Sequence, residues 1–279
     1  YPKPIITLTT DFGLTDGYVG TMKGVMLDVV PQAQLVDLSH QIAPQDVRQA
    51  AYVLYAAYTF FPAHTVHLLV VDPGVGSARR PIALRTPAGA FVGPDNGAFS
   101  YVMACQPVEA IVELADPRYH LDQVSHTFHG RDVFAPAAAH LAAGVPMADL
   151  GPPVTDPVVF PGPFFVSTPE GIRGKVLHVD RFGNIVTSIG RLTWHGDTLA
   201  LRSAFDATDA ASPMRFSARQ AAVTASGVDL MGVQRTYADV APGQAVALVG
   251  SSGHLEIAVR EGSGAQRLGL HVDDPVILK

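Results

Sequence analysis

The chain has 279 residues, 48% of them hydrophobic and 16% charged, which excludes a disordered or fibrous polypeptide and is comfortable for two well-packed domains. A formal charge of −6 argues against a nucleic-acid partner, and the single cysteine, Cys105, excludes an internal disulfide and fits a reducing compartment. The apolar run AAYVLYAAYTFF (50–61) is too short to cross a bilayer and reads as a buried helix. No signal or lipidation motif is visible, although a start at Tyr1 without methionine leaves a removed leader open; no membrane association and a cytoplasmic location are expected.

In chain order, PIITLTT (4–10) reads as a strand, GYVGTMKGVMLDVV (17–30) as a helix, AQLVDLS (33–39) as a strand, and 44–61 as a helix with Pro44 in its first turn. TVHLLVV (65–71) is a near-continuous apolar strand of the kind buried on both faces of a sheet. PIALRTPAGAFVGPDNG (81–97) has hairpin character, with turn chemistry at Pro87–Gly89 and Asp95–Gly97; GPDNG itself reads as a plain turn. VFAPAAAHLAAG (133–144) is an alanine-rich helix stopped by Gly144. Prolines 152, 153, 157, 161, 163 and 169 then predict an extended linker over 152–170. Beyond it, 171–279 alternates short strands with glycine turns and has almost no helical period. The expected fold is therefore an α/β domain over 1–165, with a mixed or parallel sheet flanked by helices, followed by an all-β, barrel-like domain over 171–279.

Ligand groups in such sheets sit on the loops at the carboxyl ends of the strands. Asp11 and Asp72 hold that address, each followed within two residues by a glycine. Either alone would be an ordinary turn aspartate; the pair raises a ligand reading. FHGRD (128–132) adds His129, a natural general base, against the plain alternative of a helix-entry residue. His120, His126 and His129 invite a metal reading, but their spacing matches no usual zinc motif and no metal is expected. DRFGN (180–184) lies between two strand runs: Gly183 and Asn184 are good hairpin chemistry, while Asp180, Phe182 and Asn184 have the chemistry to hold an ammonium or hydroxyl, a ring and a base edge. GSSGHLEIAVREGSGA (250–265) brings two small-residue loops around a strand, and Asp16 and Asp37 read as surface or turn acids. Arg79 and Arg80 cannot be told apart from their position alone.

TLTTDFG, VVDPGVGSARR, GPDNG, FHGRDVFAPAAAHLAAG, VDRFGN and GHLEIAV, in this order from Thr7 to about Ala265, together resemble the S-adenosyl-L-methionine (SAM) hydroxide adenosyltransferase family, adenosine-forming SAM hydrolases related to the fluorinase and chlorinase. The resemblance implies an α/β domain with a C-terminal β-barrel domain, and homotrimers that bind SAM where one subunit's N-terminal domain meets a neighbour's C-terminal domain. It implies attack of water or hydroxide on C5′ of SAM, giving adenosine and L-methionine, with no cofactor. It maps a water-activating set onto Asp72, Arg79 and His129, choosing Arg79 over Arg80, and a ribose-binding acid onto Asp11. Asp180 falls at the methionine side, Asn184 and Phe182 at the adenine, and Ser251, Ser252 and Val259–Glu261 at the C-terminal loop. Gln45 stands where the fluorinase carries an aromatic residue. A halogenase forming 5′-halo-5′-deoxyadenosine and a SAM- or nucleoside-binding sensor with negligible turnover are the alternatives.

Overall fold

The computed structural model describes residues 3–161, 164–206 and 212–279, in two compact units, Tyr1–Phe160 and Pro161–Lys279. The first unit is a mixed α/β unit. Strands β1 (Ile5–Thr10), β2 (Gln34–Ser39), β3 (Val66–Val70), β4 (Pro81–Thr86), β5 (Gly89–Pro94) and β6 (Ala110–Glu113) form a six-stranded sheet in the order β2-β1-β3-β5-β4-β6. Pairs β2–β1, β1–β3 and β3–β5 are parallel; β4 runs antiparallel to both β5 and β6. Helices α1 (Tyr18–Val29), α2 (Val47–Ala57), α3 (Ser100–Cys105) and α4 (Ala135–Ala142) complete the unit. β3 is buried throughout, which accounts for its near-continuous apolar run, broken only by His67. Val19, Met22 and Met26 recur at helical spacing on the buried side of α1, and the small side chains of α4 let it pack closely on α1 and the sheet.

Three local departures from the sequence reading have simple causes. The helix expected over 44–61 begins at Val47, because Asp46 caps it by accepting the Gln49 N–H at 2.9 Å, and Gln45 just before has a left-handed φ of 67°. Pro44 is thus outside the helix, and Tyr58–Phe60 form a separate 3₁₀ turn. GPDNG is not a plain turn: Asp95 is buried and accepts from Arg80 Nη2 at 2.7 Å and from the Val158 N–H at 2.7 Å. The proline-rich stretch is not a free linker throughout. Residues 152–160 lie along the first unit: the Val154 N–H donates to the Ile111 carbonyl at 2.9 Å and the Phe160 N–H to Ser100 Oγ at 2.8 Å. Pro163, one of the expected linker prolines, lies outside the described residues.

The second unit contains β7 (Val166–Thr168), β8 (Gly171–Val179), β9 (Ile185–Gly190), β10 (Leu192–His195), β11 (Thr198–Leu201), β12 (Met214–Ser217), β13 (Ala222–Ala225), β14 (Val228–Met231), β15 (Val233–Gln234), β16 (Ala245–Val249), β17 (His254–Val259) and β18 (Pro275–Leu278). Nine of them form one sheet, ordered β14-β13-β18-β8-β9-β17-β16-β15 with β7 beside β8, and β14 returns against β16, so the sheet is nearly closed and barrel-like. A short helix, α5 (Gly264–Leu268), escaped the sequence reading; Ser263 caps it and Gly269, at φ 62°, ends it. No helix among the described residues is long and apolar enough to cross a membrane.

One histidine in each unit, His67 in the first and His254 in the second, is wholly buried. His67 on β3 bonds Thr7 Oγ1 at 2.8 Å and stacks on Phe91; His254 on β17 donates Nδ1–H to the Thr187 carbonyl at 2.8 Å. Burial lowers both pKa values to about 4. Both rings are neutral when folded and titrate near 6.5 when unfolded, so the unfolded chain takes up protons first as pH falls. Thermal scans are expected to show a constant Tm above about pH 7 and a decline from pH 6.5 towards 4, with each ring contributing up to roughly 3 kcal/mol.

Candidate active site

The chain runs from β1 to β2 on one side and reaches β3 on the other, so the loops after β1 and β3 flank a topological switch point. A cavity of about 440 Å³ lies there, lined by Asp11, Phe12, Gln45, Asp72, Phe128 and His129 among others. Asp11 follows β1 directly. Its Oδ2 accepts the Gln45 N–H at 2.8 Å, and Oδ1 has no partner among the described residues.

Asp72 and Arg79 form the centre of the site. Arg79 Nε donates to both carboxylate oxygens, at 2.9 Å each, and Nη2 pairs with Oδ2; the side chains are only 6% and 9% exposed. Turns carry the chain back over this distance: the Val75 N–H donates to the Asp72 carbonyl at 3.2 Å, and the Ser77 N–H and hydroxyl both donate to the Gly74 carbonyl. Gly76 is required, since φ is 76° and a Cβ would stand 2.7 Å from the His126 carbonyl. Arg80 points elsewhere, to Asp95 and Asp156, so the structure separates two arginines that sequence position could not.

His129 enters from a one-turn π-helical segment, Gly130–Phe134, that leads into α4. Its Nδ1 lies 2.9 Å from Arg79 Nη2. A guanidinium can only donate, so Nδ1 accepts and the neutral ring carries its proton on Nε2. Burial and the Arg79 charge lower the His129 pKa, against the opposing pull of Asp72 and Asp132. Asp132, fully buried, accepts the Ser125 N–H at 2.8 Å and pairs with Arg131, which steadies the loop carrying His129; burial would raise its pKa, but Arg131 and Ser125 hold it below the usual carboxylate range. Phe12, Tyr18 and Phe128 complete the wall as a cluster with ring centroids 5.0–5.8 Å apart.

A second cleft of about 540 Å³ belongs to the other unit and is lined by Asp180, Phe182, Asn184, Tyr237 and Val259–Gly262. Asp180 organises its own turn: Oδ1 accepts the N–H groups of Phe182 and Asn184 at 2.8 Å each, and Oδ2 accepts from Asn184 Nδ2 at 3.0 Å. Phe182 is 76% exposed. Ser251 and Ser252 sit in the turn between β16 and β17 and do not line this cleft, whereas Val259–Glu261 at the far end of β17 do. Two residues receive no role from the sequence: no motif or period marks Tyr237, and Asn96 lies within GPDNG, which reads as a plain turn. Tyr237 donates to Glu256 at 2.6 Å; burial raises the pKa of both partners. Asn96 donates from Nδ2 to the Val71 carbonyl at 3.0 Å, fixing the backbone beside Asp72. His120, His126 and His129 do not converge: among the described residues no group of three potential ligands is placed to hold a metal ion.

A mixed α/β unit with a partly buried acid–guanidinium–imidazole set beside an open cavity, followed by a barrel-like β unit, defines an α/β-plus-β enzyme. The chain belongs to the SAM hydroxide adenosyltransferase family: the N-terminal domain profile of that family matches residues 6–151 and the C-terminal domain profile residues 174–277. It is 40% identical to an (R)-S-adenosyl-L-methionine hydrolase of Salinispora tropica, covering 98% of this chain and 97% of that protein. It is 39% identical to a protein of the same name from Thermus thermophilus, over 99% of each. A fluorinase of an Actinoplanes species is more distant, 29% identical over 68% of this chain and 72% of its own. The crystal structure of an uncharacterized conserved protein from Thermotoga maritima superposes with a TM-score of 0.84 at 33% identity, covering 98% of this chain and all of that one.

Arg79→Ala would strand the buried Asp72 carboxylate. It is expected to cost about 3–5 kcal/mol in urea unfolding, and the double variant Asp72→Asn/Arg79→Met, which removes both charges, should recover much of that loss.

Proposed function

We propose that this protein hydrolyses SAM to adenosine and L-methionine by in-line attack of water at C5′. The observation that carries the proposal is the Asp72–Arg79–His129 set at the switch point of a chain that belongs to this family. The leaving sulfonium departs as a neutral thioether and needs no proton, so the protein's work falls on the nucleophile. Water can donate one O–H to Asp72 while its oxygen accepts Nε2–H from His129. Arg79 holds both partners at fixed spacing. As the O–C5′ bond forms and the C5′–S bond breaks, the attacking oxygen becomes strongly acidic and passes its proton to Asp72. A weak base suffices for a late transfer of this kind. His129 is in this scheme a hydrogen-bond donor rather than the base.

Asp11 would take the ribose hydroxyls through its unpartnered Oδ1, and Asp180, Phe182, Asn184, Ser251 and Ser252 would serve the methionine and adenine ends. The chemistry calls for no cofactor and no metal. A homotrimer in the cytoplasm belongs with this reading, and sedimentation of the purified chain would measure the assembly.

Halogenation is the second reading, motivated by the fluorinase relatives. A free carboxylate ~4 Å from a halide would repel it by about 4 kcal/mol at an effective dielectric near 20, roughly a thousandfold in binding. The Arg79 pairing tempers that repulsion, so discrimination also rests on the donors that face the nucleophile, among them the Nε2–H of His129.

Incubation with SAM, with and without chloride, is expected to yield adenosine and methionine independently of halide, and Asp72→Ala to lose the activity by about a hundredfold or more. A 5′-chlorinated product would establish the halogenase instead, and tight binding without product a sensor. The rate should fall on acidification through the lowered pKa of His129, below 6.5, because an added Nδ1 proton would face Arg79; a kcat/KM pH profile measures it.

A further inference from the structure

His40 is a buried histidine outside the Asp72 set, and it grips the segment carrying Asp11 from both sides. Its Nδ1 lies 2.8 Å from Thr10 Oγ1, one residue before Asp11, and its carbonyl accepts the Gly13 N–H at 2.8 Å, two residues after. The other ring nitrogen, Nε2, stands 3.0 Å from Asp37 Oδ1, close enough for strong electrostatic attraction though off the hydrogen-bond line; Asp37 Oδ2 in turn takes Lys23 Nζ at 2.7 Å from α1. With the ring proton on Nε2, towards the carboxylate, the directions run head to tail. Thr10 Oγ1–H donates to Nδ1, and the Phe12 N–H donates at 3.3 Å to Thr10 Oγ1. Thr10 is fully buried, so its hydroxyl is not presented to a substrate.

We propose that His40 is a positioning residue for the sugar-binding end of the pocket: the Asp37–His40–Thr10 chain fixes the backbone on either side of Asp11 and so sets where its free carboxylate oxygen meets a ribose diol. The inference rests on the reading of Asp11 as the ribose acid. It gives Asp37, which reads from sequence as a surface or turn acid, a part in ligand geometry. An apolar side chain in place of His40 would fill the same volume but would tie down neither Thr10 nor the carboxylate of β2. The polar chain lies at the carboxyl ends of β1 and β2, where a small shift of backbone moves a ligand contact.

The test is calorimetric binding of adenosine and of 2′,3′-dideoxyadenosine to the full chain, which needs no turnover. Thr10→Val keeps the shape of the side chain and removes the hydroxyl. It is expected to weaken adenosine about tenfold while leaving the dideoxy analogue unchanged, and to raise KM for SAM with kcat held. Asp37→Asn, at a half-exposed position, should move the same ratio in the same direction by a smaller factor and serves if Thr10→Val does not fold. A drop in Tm with an unchanged ratio of the two affinities would make the chain purely structural and overturn the proposal. If the unaltered protein binds both nucleosides equally, the ribose reading of Asp11 fails and the proposal falls with it. If it discriminates and the variants discriminate as well as it does, the proposal alone fails.

Discussion

The ion pair between Asp72 and Arg79 is the constraint around which the pocket is built. Two charges taken out of water cost several kcal/mol each unless every donor and acceptor near them is used, and here the guanidinium meets both carboxylate oxygens and an imidazole while lying 5.0 Å above the Phe134 ring. The pairing dictates the loop between the partners, with its stacked turns and the glycine that passes the His126 carbonyl. It selects the tautomer of the neutral His129 ring, with the proton on Nε2. It also explains why the neighbouring backbone is pinned from outside by Asn96: a carboxylate whose spacing matters to a water molecule cannot sit on a loose strand end.

The parts of this arrangement that could be read in the sequence are those in which local chain order and spatial order coincide. Asp11 and Asp72 stand immediately after runs of strand residues, and a parallel sheet sends such positions to one edge, so their equivalent placement follows from the strand pattern, while the pairing of β1 with β3 brings them together. What joins distant segments was not readable. Asp95 looked like a turn residue because Asp-Asn-Gly is good turn chemistry; its buried partners, Arg80 and the backbone of Val158, approach from elsewhere in the chain. Likewise Pro44 suggested a helix start, but Asp46 competes for the first turn by capping it. The motif resemblance assigned residues to ends of a ligand with no account of what those side chains do in the absence of one.

That account differs between the two clefts. In the first, the polar groups are held rigidly and still keep unused capacity, as at Asp11. In the second, Asp180 spends both oxygens on its own turn, and Tyr237 spends its hydroxyl on Glu256. A ligand entering the first cleft meets groups already poised; one entering the second must add to, or share, bonds that the protein has made with itself. Gly183 leaves little slack in that turn, since a Cβ there would stand 2.0 Å from Ser263 Oγ.

The depth at which Asp72 and Arg79 are buried bears on the solution conditions that the protein tolerates. Mobile ions screen exposed pairs over roughly 8–10 Å at ordinary ionic strength, but they reach much less of an attraction between side chains as little exposed as these. Added salt therefore loosens contacts such as Lys175–Asp273 and Arg118–Asp116 on the surface before it touches the acid–guanidinium pair. The pocket's internal spacing is insulated from the electrolyte around it, and the chain's response to salinity is a property of its outer face.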